Sequence, residues 1–529
     1  MRKNRYVVLL GWALIGTFPT MAQRNYTPNS VLSAGNWFKV SVKNAGVYKM
    51  DIPFLNNLGI NTGNLSSASI RLFGNGGQML AESNAGLWTD DLKENAIQVV
   101  DGGDGVLNGS DYILFYASGP DEWGKDSANL LFLHRKNVFS DKSYYFLNVG
   151  GNGKRIIAAP LNSSPGLTVT NFSERYFHEL DTVNFLAGSK EWYGEELSGL
   201  PGRSLNRSFS VNFPNIQNNA SVIVQTNCVA RSVGVSSRFD VRINNQPAGQ
   251  IIINPVSGGQ YDLFAQQGNG LAAANATQNN VDINYTYVPG SFNAQGWLNW
   301  FEIFTRRNIS LSGVDQLLFR DWLSVGNNNA EFVVSNATAS TQVWEITDPL
   351  NPLRMQGAFT GNEFRFVSNC SRLREYVAFN MANFLVPTVD GKISNQDLHN
   401  ASATDFLIVA HPSLLSQAQR LAQLHQQNGL RTVIVTTEQV YNEFGSGSPD
   451  PTAIRDFVKM YYDKFGASPV NKPKYLLLFG DASFDYKDRI NNNTNLVPAY
   501  QNNFALDPLS SYASDDFFGF LDDNEDINS

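Results

Sequence analysis

Two cysteines, Cys228 and Cys370, are all that 529 residues contain, and that excludes a disulfide scaffold. Cys228 lies in the apolar strand pattern Val222–Ala230 and reads as a packed core thiol. Cys370 lies in the turn-like stretch Ser368-Asn-Cys-Ser371, and a bridge between the two stays open in an oxidising compartment. Histidine is also scarce. His134, His178, His399, His411 and His425 are the only five, and none stands at metal-ligand spacing from another His or a Cys. Charged residues make up 16% of the chain, acids exceed bases, and Lys and Arg form no cluster. Nucleic acid is therefore not expected as a partner, because phosphate binding needs gathered cations, and there is no polybasic segment for an anionic lipid surface. Beyond the first 22 residues no apolar run is long enough for a transmembrane helix. A phosphate loop, a dinucleotide glycine fingerprint and a Gly-x-Ser-x-Gly elbow are also lacking from the C-terminal part of the chain.

The N-terminus is informative. Arg2, Lys3 and Arg5 precede an apolar run from Tyr6 to Phe18, and Thr20-Met-Ala22 offers a small-residue cleavage site before Gln23. This pattern predicts a signal peptide over residues 1–22 and an exported protein. Its removal leaves 36 basic against 47 acidic residues, a formal charge of −11. A hydrophobic content of 42% is ample for several cores, and the length suggests about three domains.

Most of the chain reads as short strands separated by turns. Trp37–Val42 and Val47–Met50 flank Asn44-Ala-Gly46 and predict a hairpin. Ile70–Phe73, Tyr112–Tyr116 and Tyr144–Val149 complete a β-rich N-terminal domain over 23–170. Ser208–Asn212, Ala220–Thr226, Phe239–Ile243, Val281–Tyr285, Trp300–Phe304 and Ala330–Val334 predict a β-sandwich-like domain over 171–345. Alternation in several of these argues sheets with one solvated face. Residues 346–402 read as a β-rich connecting segment, with a polar linker from Asp390 to Ser402.

From residue 403 the period changes. Phe406–Val409 is a buried-strand run, and Pro412 suits a first helical turn. Leu414, Leu415, Ala418, Leu421 and Ala422 share a helical face, and Gly429 sits at a C-terminal cap position. Thr432–Val435 is the next strand. Asp450-Pro451 makes an N-cap and first-turn pair, and Ile454, Phe457, Val458, Tyr461 and Phe465 form a second helical stripe before the strand Tyr475–Phe479. Strand–helix–strand–helix–strand with apolar strands predicts a parallel sheet covered on both faces, over residues 403–529.

Such sheets bind ligands beyond the carboxyl ends of their strands, where Asp481, Asp485 and Asp488 follow the third strand. Farther on, Asp522, Asn524 and Asp526 have the 1-3-5 spacing of a calcium loop, although Ile527 stands where that loop needs glycine. Calcium at these three residues is the one metal expectation; the competing reading is a solvated acidic loop. The acidic loop Asp101–Asp111 reads as a tight Asp-Gly turn, because Val100 falls at its first ligand position. His411, between a buried strand and a helix, holds a position that would suit catalysis, but with no activated nucleophile near it in sequence the favoured reading is a helix-start packing residue. Neither cysteine lies in the α/β segment where a nucleophile would be expected.

Several α/β motifs resemble the start of a gingipain-type cysteine peptidase domain. They are Thr404–Pro412, Gln439–Phe444, Asp450–Phe457, Leu478–Tyr486, Val497–Tyr500 and Ser514–Gly519. The order of leader, long β-rich region and α/β unit resembles the sortase family of the type IX secretion system (PorU-type) in Bacteroidetes. Asn36–Val40, Gly46–Lys49 and Tyr112–Tyr116 are similar to its N-terminal region. The resemblance implies a multidomain fold, with all-β, sandwich-like domains followed by the first subdomain of a gingipain/caspase-like peptidase. It implies an outer-membrane-associated enzyme at the cell surface with no required cofactor. Such an enzyme removes C-terminal sorting domains from exported cargo and transfers the cargo to a lipopolysaccharide amine. Its partners would be that cargo, other outer-membrane components of type IX secretion and the lipopolysaccharide acceptor. The family's Gly-His-Gly turn and its later nucleophilic Cys fall downstream of the matched portion. The chain is thus expected to be truncated before them and inactive alone, with no catalytic residue in 1–529. The alternative is a non-catalytic, secreted or surface β-rich binding or adhesion protein with a degenerate peptidase-like unit. A carbohydrate-binding β protein using some of the nine Trp is a third reading.

Overall fold

Strands with one apolar face must find a second sheet, and this chain solves that problem three times besides forming its α/β unit. The computed structural model describes residues 24–527, so the expected leader over 1–22 lies outside the described residues. The first sandwich pairs a five-stranded antiparallel sheet with a three-stranded one. The larger sheet runs Thr388–Ile393, Trp37–Val42, Ser143–Val149, Ile70–Phe73 and Glu94–Asn95. The smaller runs Gly46–Asp51, Tyr112–Ala117 and Gln98–Val100. Val40, Ile70, Leu72, Ile113, Phe115 and Leu147 fill the space between them.

Two expectations are corrected here. Trp37–Val42 and Gly46–Asp51 do not form a hairpin: they pair with Ser143–Val149 and Tyr112–Ala117 respectively, one in each sheet. The turn at Asn44–Ala45 carries the chain across the sandwich instead. The polar stretch from Asp390 is no linker at its start, since Thr388–Ile393 is the edge strand beside Trp37–Val42. An edge strand bonds through its backbone and leaves its side chains in water, so its polar composition conceals it.

The next two sandwiches are nested. One sheet orders Ile157–Ala158, Leu353–Arg354, Gln342–Glu345, Glu375–Phe379 and Gln316–Arg320. It faces Leu167–Val169, Asn327–Ser335, Glu363–Cys370 and Gly357–Thr360 across a core that includes Phe319, Phe332, Phe366 and Tyr376. Between Val169 and Gln316 the chain leaves to build an entire inserted sandwich. Its sheets are Asn171–Glu179, Gln295–Asn308, Ser221–Arg231 and Gln266–Asn275 against Asn206–Asn212, Asn280–Val288, Ser237–Ile243 and Gln246–Ile253. In the latter sheet Ser237–Ile243 strictly alternates its more and less buried positions, as one solvated face requires. The structure thus groups residues 157–169 with 316–379, a partition that differs from linear boundaries at 170, 345 and 402. The grouping is enforced by parallel pairing of Leu167–Val169 with Ala330–Phe332, which no local pattern encodes.

The α/β unit has the expected order. Strand Phe406–Ala410 lies between Thr432–Thr436 and Tyr475–Phe479, all parallel. Helix Leu415–Gln427 packs Ala418 and Ala422 on one face. Helices Thr437–Phe444 and Pro451–Phe465 cover the other, with Val440, Ile454, Phe457 and Tyr461 in the core. Thr436 and Gln439 form a reciprocal capping box, and Asp450 caps the last helix through Thr452. Gly429 adopts φ +87° just after the first helix, the left-handed stop its position predicted.

The first eleven residues of helix Pro451–Phe465 are buried all round, because the helix lies between the parallel sheet, the first sandwich and the C-terminal loop. Gly447 marks this contact. It has φ +86°, and an added Cβ would lie 2.8 Å from Tyr144 Cβ and 2.9 Å from Lys39 Cε. Only glycine lets this loop touch the outer face of the first sandwich.

Candidate functional site

The carboxyl edge of the parallel sheet is the place to look for chemistry, because the strand order reverses between Phe406–Ala410 and Tyr475–Phe479. His411 leaves the first of these strands and donates its backbone N–H to Phe479 O at 3.3 Å. Its Nδ1 is 2.8 Å from Ser413 Oγ and accepts from Ser413 N, so the ring caps the short turn Pro412–Leu414. This is the helix-start role read from the sequence.

Across the crevice, Asp481 accepts from Thr494 Oγ1 at 2.9 Å and from Ala482 N at 3.0 Å. Its carbonyl takes Leu496 N and Val497 N. Asp485 is fully buried and organises the following loop by accepting from Ile490 N at 2.7 Å and Lys487 N at 3.1 Å. Both carboxylates are consumed as turn builders. The loop they shape borders a cavity of ≈ 630 Å³, closed on the far side by Leu186–Gly188 of the inserted sandwich. Phe484, Asn493, Gln501 and Tyr512 line it, and no charged side chain does. A second groove of ≈ 680 Å³ follows strand Tyr475–Phe479, which pairs on one side only among the described residues.

Neither thiol belongs to this site. Cys228 is buried in the core of the inserted sandwich, and Cys370 ends a strand in the core of the sandwich that receives the insertion. Both are free, so the bridge left open by the sequence is not formed. Cys370 is a buried strand residue and not the turn residue its neighbours suggested. Burial pushes both thiols above their ordinary range, the reverse of what a nucleophile needs.

The acidic terminus is a docking element. Asp522 Oδ1 accepts from Tyr462 OH at 2.6 Å, which raises the phenol to about 12. Asp523 pairs with Lys459 at 2.8 Å, and Glu525 Oε2 folds back on Leu521 N and Asp522 N. Asn84 of the first sandwich donates to the carbonyls of Phe520, Asp522 and Glu525. Asn524 is exposed. Among the described residues no group of three or more His, Cys, Asp or Glu side chains is arranged to hold a metal ion. The Asp101–Asp111 loop is a set of tight turns: Asp101 accepts from Gly103 N and Asp104 from Val106 N.

The residues that position the α/β unit were missed by sequence reasoning. His399 is fully buried, with Nδ1 2.7 Å from Glu443 Oε2 and Nε2 2.9 Å from Asp90 Oδ1. Its ring stacks on Phe444 at 4.9 Å. Burial opposes its charge, but the two carboxylates win and raise it to about 9. Arg455 donates to Ala81 O at 3.0 Å and also to Glu82 O, while Asp456 receives both Arg455 and Arg24 at 2.9 Å. Buried charges of this kind are stable only when paired, and here Arg24 and Asp90 are brought in from distant segments. The only sequence signal was polar residues interrupting an apolar stripe.

Comparison with known proteins agrees with this geometry. Residues 399–529 match peptidase family C25. A crystal structure of dimeric latent PorU from Porphyromonas gingivalis superposes with TM-score 0.82 at 24% identity, over 95% of this chain and 47% of that one. This chain therefore spans about half the length of that structure. A carbohydrate-binding domain (CBM36-1) of a xylanase from the hindgut metagenome of Trinervitermes trinervoides overlaps 25% of the chain at TM-score 0.17, too low to carry an argument. No curated protein matches.

Proposed function

From a peptidase family C25 unit set in the latent-PorU fold, we propose that this protein serves type IX secretion as a sortase-type cysteine peptidase and transpeptidase. In this reading it acts on exported cargo at the outer membrane, on the cell surface. It removes the cargo's C-terminal sorting domain through a thioester and passes the new carboxyl end to a lipopolysaccharide amine. Residues 24–527 supply its β-rich frame and a supporting α/β subdomain. The observation that carries the reading is the agreement of fold over 95% of the chain at TM-score 0.82.

Both thiols within these residues are buried and raised, so the 529 residues by themselves are expected to lack peptidase and transfer activity. The test incubates the purified chain with a cargo sorting domain and a lipopolysaccharide acceptor, with and without iodoacetamide. Thiol-dependent cleavage that disappears on changing Cys228 or Cys370 would overturn the scaffold role. A companion experiment introduces Gly447→Ala into the chromosomal gene of the producing bacterium. Cargo should then accumulate with its sorting domain uncleaved; unchanged processing with a destabilised protein would favour the non-catalytic surface-binding alternative.

A further inference from the structure

A cavity of ≈ 310 Å³ lies where the three sandwiches meet, outside residues 399–529. Tyr116 comes to it from the first sandwich, Arg175 and Arg307 from the inserted one, and Arg320 and Glu375 from the sandwich that receives the insertion. Arg307 and Arg320 are 7% and 3% exposed. Three buried guanidinium groups in one cavity demand compensation, and the protein supplies it incompletely.

Glu375 Oε2 takes Arg175 Nη2 at 2.9 Å, and Glu174 takes Arg307 Nη1. Arg320 stands 3.5 Å from Glu174 and 3.7 Å from Glu375, beyond good hydrogen-bond distance. Lys125 approaches Glu375 at 3.7 Å from a half-exposed position. Four cationic side chains thus share two carboxylates. Each of the three arginines lining this cavity keeps one buried guanidinium nitrogen without a hydrogen-bond partner: Arg175 Nη1, Arg307 Nη2 and Arg320 Nε. The crowding is felt: burial and the neighbouring Arg320 lower Arg175 to about 10.

An unmet buried donor costs free energy, and three on one cavity with an excess of two positive charges describe a receptor for a dianion. We propose that this cavity binds a phosphate dianion, free or as a small monoester, held by Arg175, Arg307 and Arg320. Guanidinium forks match tetrahedral oxyanions in geometry as well as charge. A bound dianion would neutralise the excess and tie the three sandwiches together at their junction.

The test is calorimetric titration of the purified chain at pH 7.5 with inorganic phosphate and, separately, with glucose 1-phosphate, against sodium chloride at matched ionic strength. Saturable binding of phosphate, with a rise in melting temperature that chloride does not reproduce, is expected. Stronger binding of glucose 1-phosphate identifies a monoester as occupant; equal or weaker binding identifies the free anion. Arg320→Met should weaken binding by about tenfold or more. Lys125→Gln, at a half-exposed side chain that a folded protein tolerates, should weaken it by roughly threefold. The proposal fails if neither phosphate binds beyond the chloride control, or if a folded Arg320→Met protein binds as tightly as the parent.

Discussion

Replacing His399 by Gln should loosen the α/β unit from the first sandwich in a pH-dependent way. His399 bridges Asp90 and Glu443, and Asp91 adds to the negative field around it, while Lys464, whose charge also acts on both carboxylates, donates Nζ to the His399 carbonyl at 2.6 Å. The folded protein raises the imidazole from its ordinary 6.5 to about 9. At about 1.4 kcal/mol per tenfold change in proton affinity, that difference is worth about 3 kcal/mol. Because the folded value is the higher one, this stabilisation is fully present below about pH 6.5 and is lost as pH rises through about 9. The Gln variant carries no such proton and lacks the pH-dependent part. His134, raised to about 9 by Glu179 and Glu302, contributes with the same sign elsewhere, so a global melt mixes the two. Amide exchange in helix Thr437–Phe444, which carries Glu443, isolates the His399 contribution. At pH 6 the parent helix should be protected about a hundredfold more than the variant, and the gap should narrow sharply by pH 9.5. A gap of constant size across that range would refute the charge argument and leave only packing on Phe444.

Gly447→Ala combines a left-handed φ with a Cβ 2.8 Å from Tyr144, and should cost roughly 1–3 kcal/mol in urea denaturation; an unchanged midpoint would show that the loop can retreat. Arg455→Met leaves Asp456 with Arg24 alone and strips donors from Ala81 O and Glu82 O, so a loss of about 3–5 kcal/mol and faster proteolysis near residues 78–84 are expected. Asp522 is already engaged by Tyr462 and Asp523 by Lys459, so calcium added after EDTA treatment should shift the melting temperature by less than about 1 °C. A larger rise, abolished by Asp526→Asn, would instead establish an ion at Asp522, Asn524 and Asp526.

Local rules carried the α/β unit. The run Phe406–Val409, the Asp450-Pro451 start and the glycine stop at 429 are each decided within a few residues, and each stands in the structure as read. The same holds for most strands of the sandwiches, whose alternation needs only one wet face. The candidate site was legible only as a location, the carboxyl edge after Phe479, because that edge follows from strand order. The carboxylates found there turned out to be spent on backbone N–H groups, which depends on how the loop closes.

The sequence by itself determined the periods, the caps, the scarcity of reactive thiols and the order of β-rich and α/β parts. Tertiary structure alone decided which strands share a sheet, because hydrogen-bond pairing between Leu167–Val169 and Ala330–Phe332 leaves no mark on either segment. It alone decided that Arg455, Asp456, Lys459 and His399 would be buried. A charged residue reads as solvent-facing until its partner is known, and several of these partners are remote: Arg24 lies 432 residues from Asp456, Asp90 309 from His399 and Asp523 64 from Lys459. Burial of charge is a property of the docked surfaces, and those exist only once the chain has folded around them.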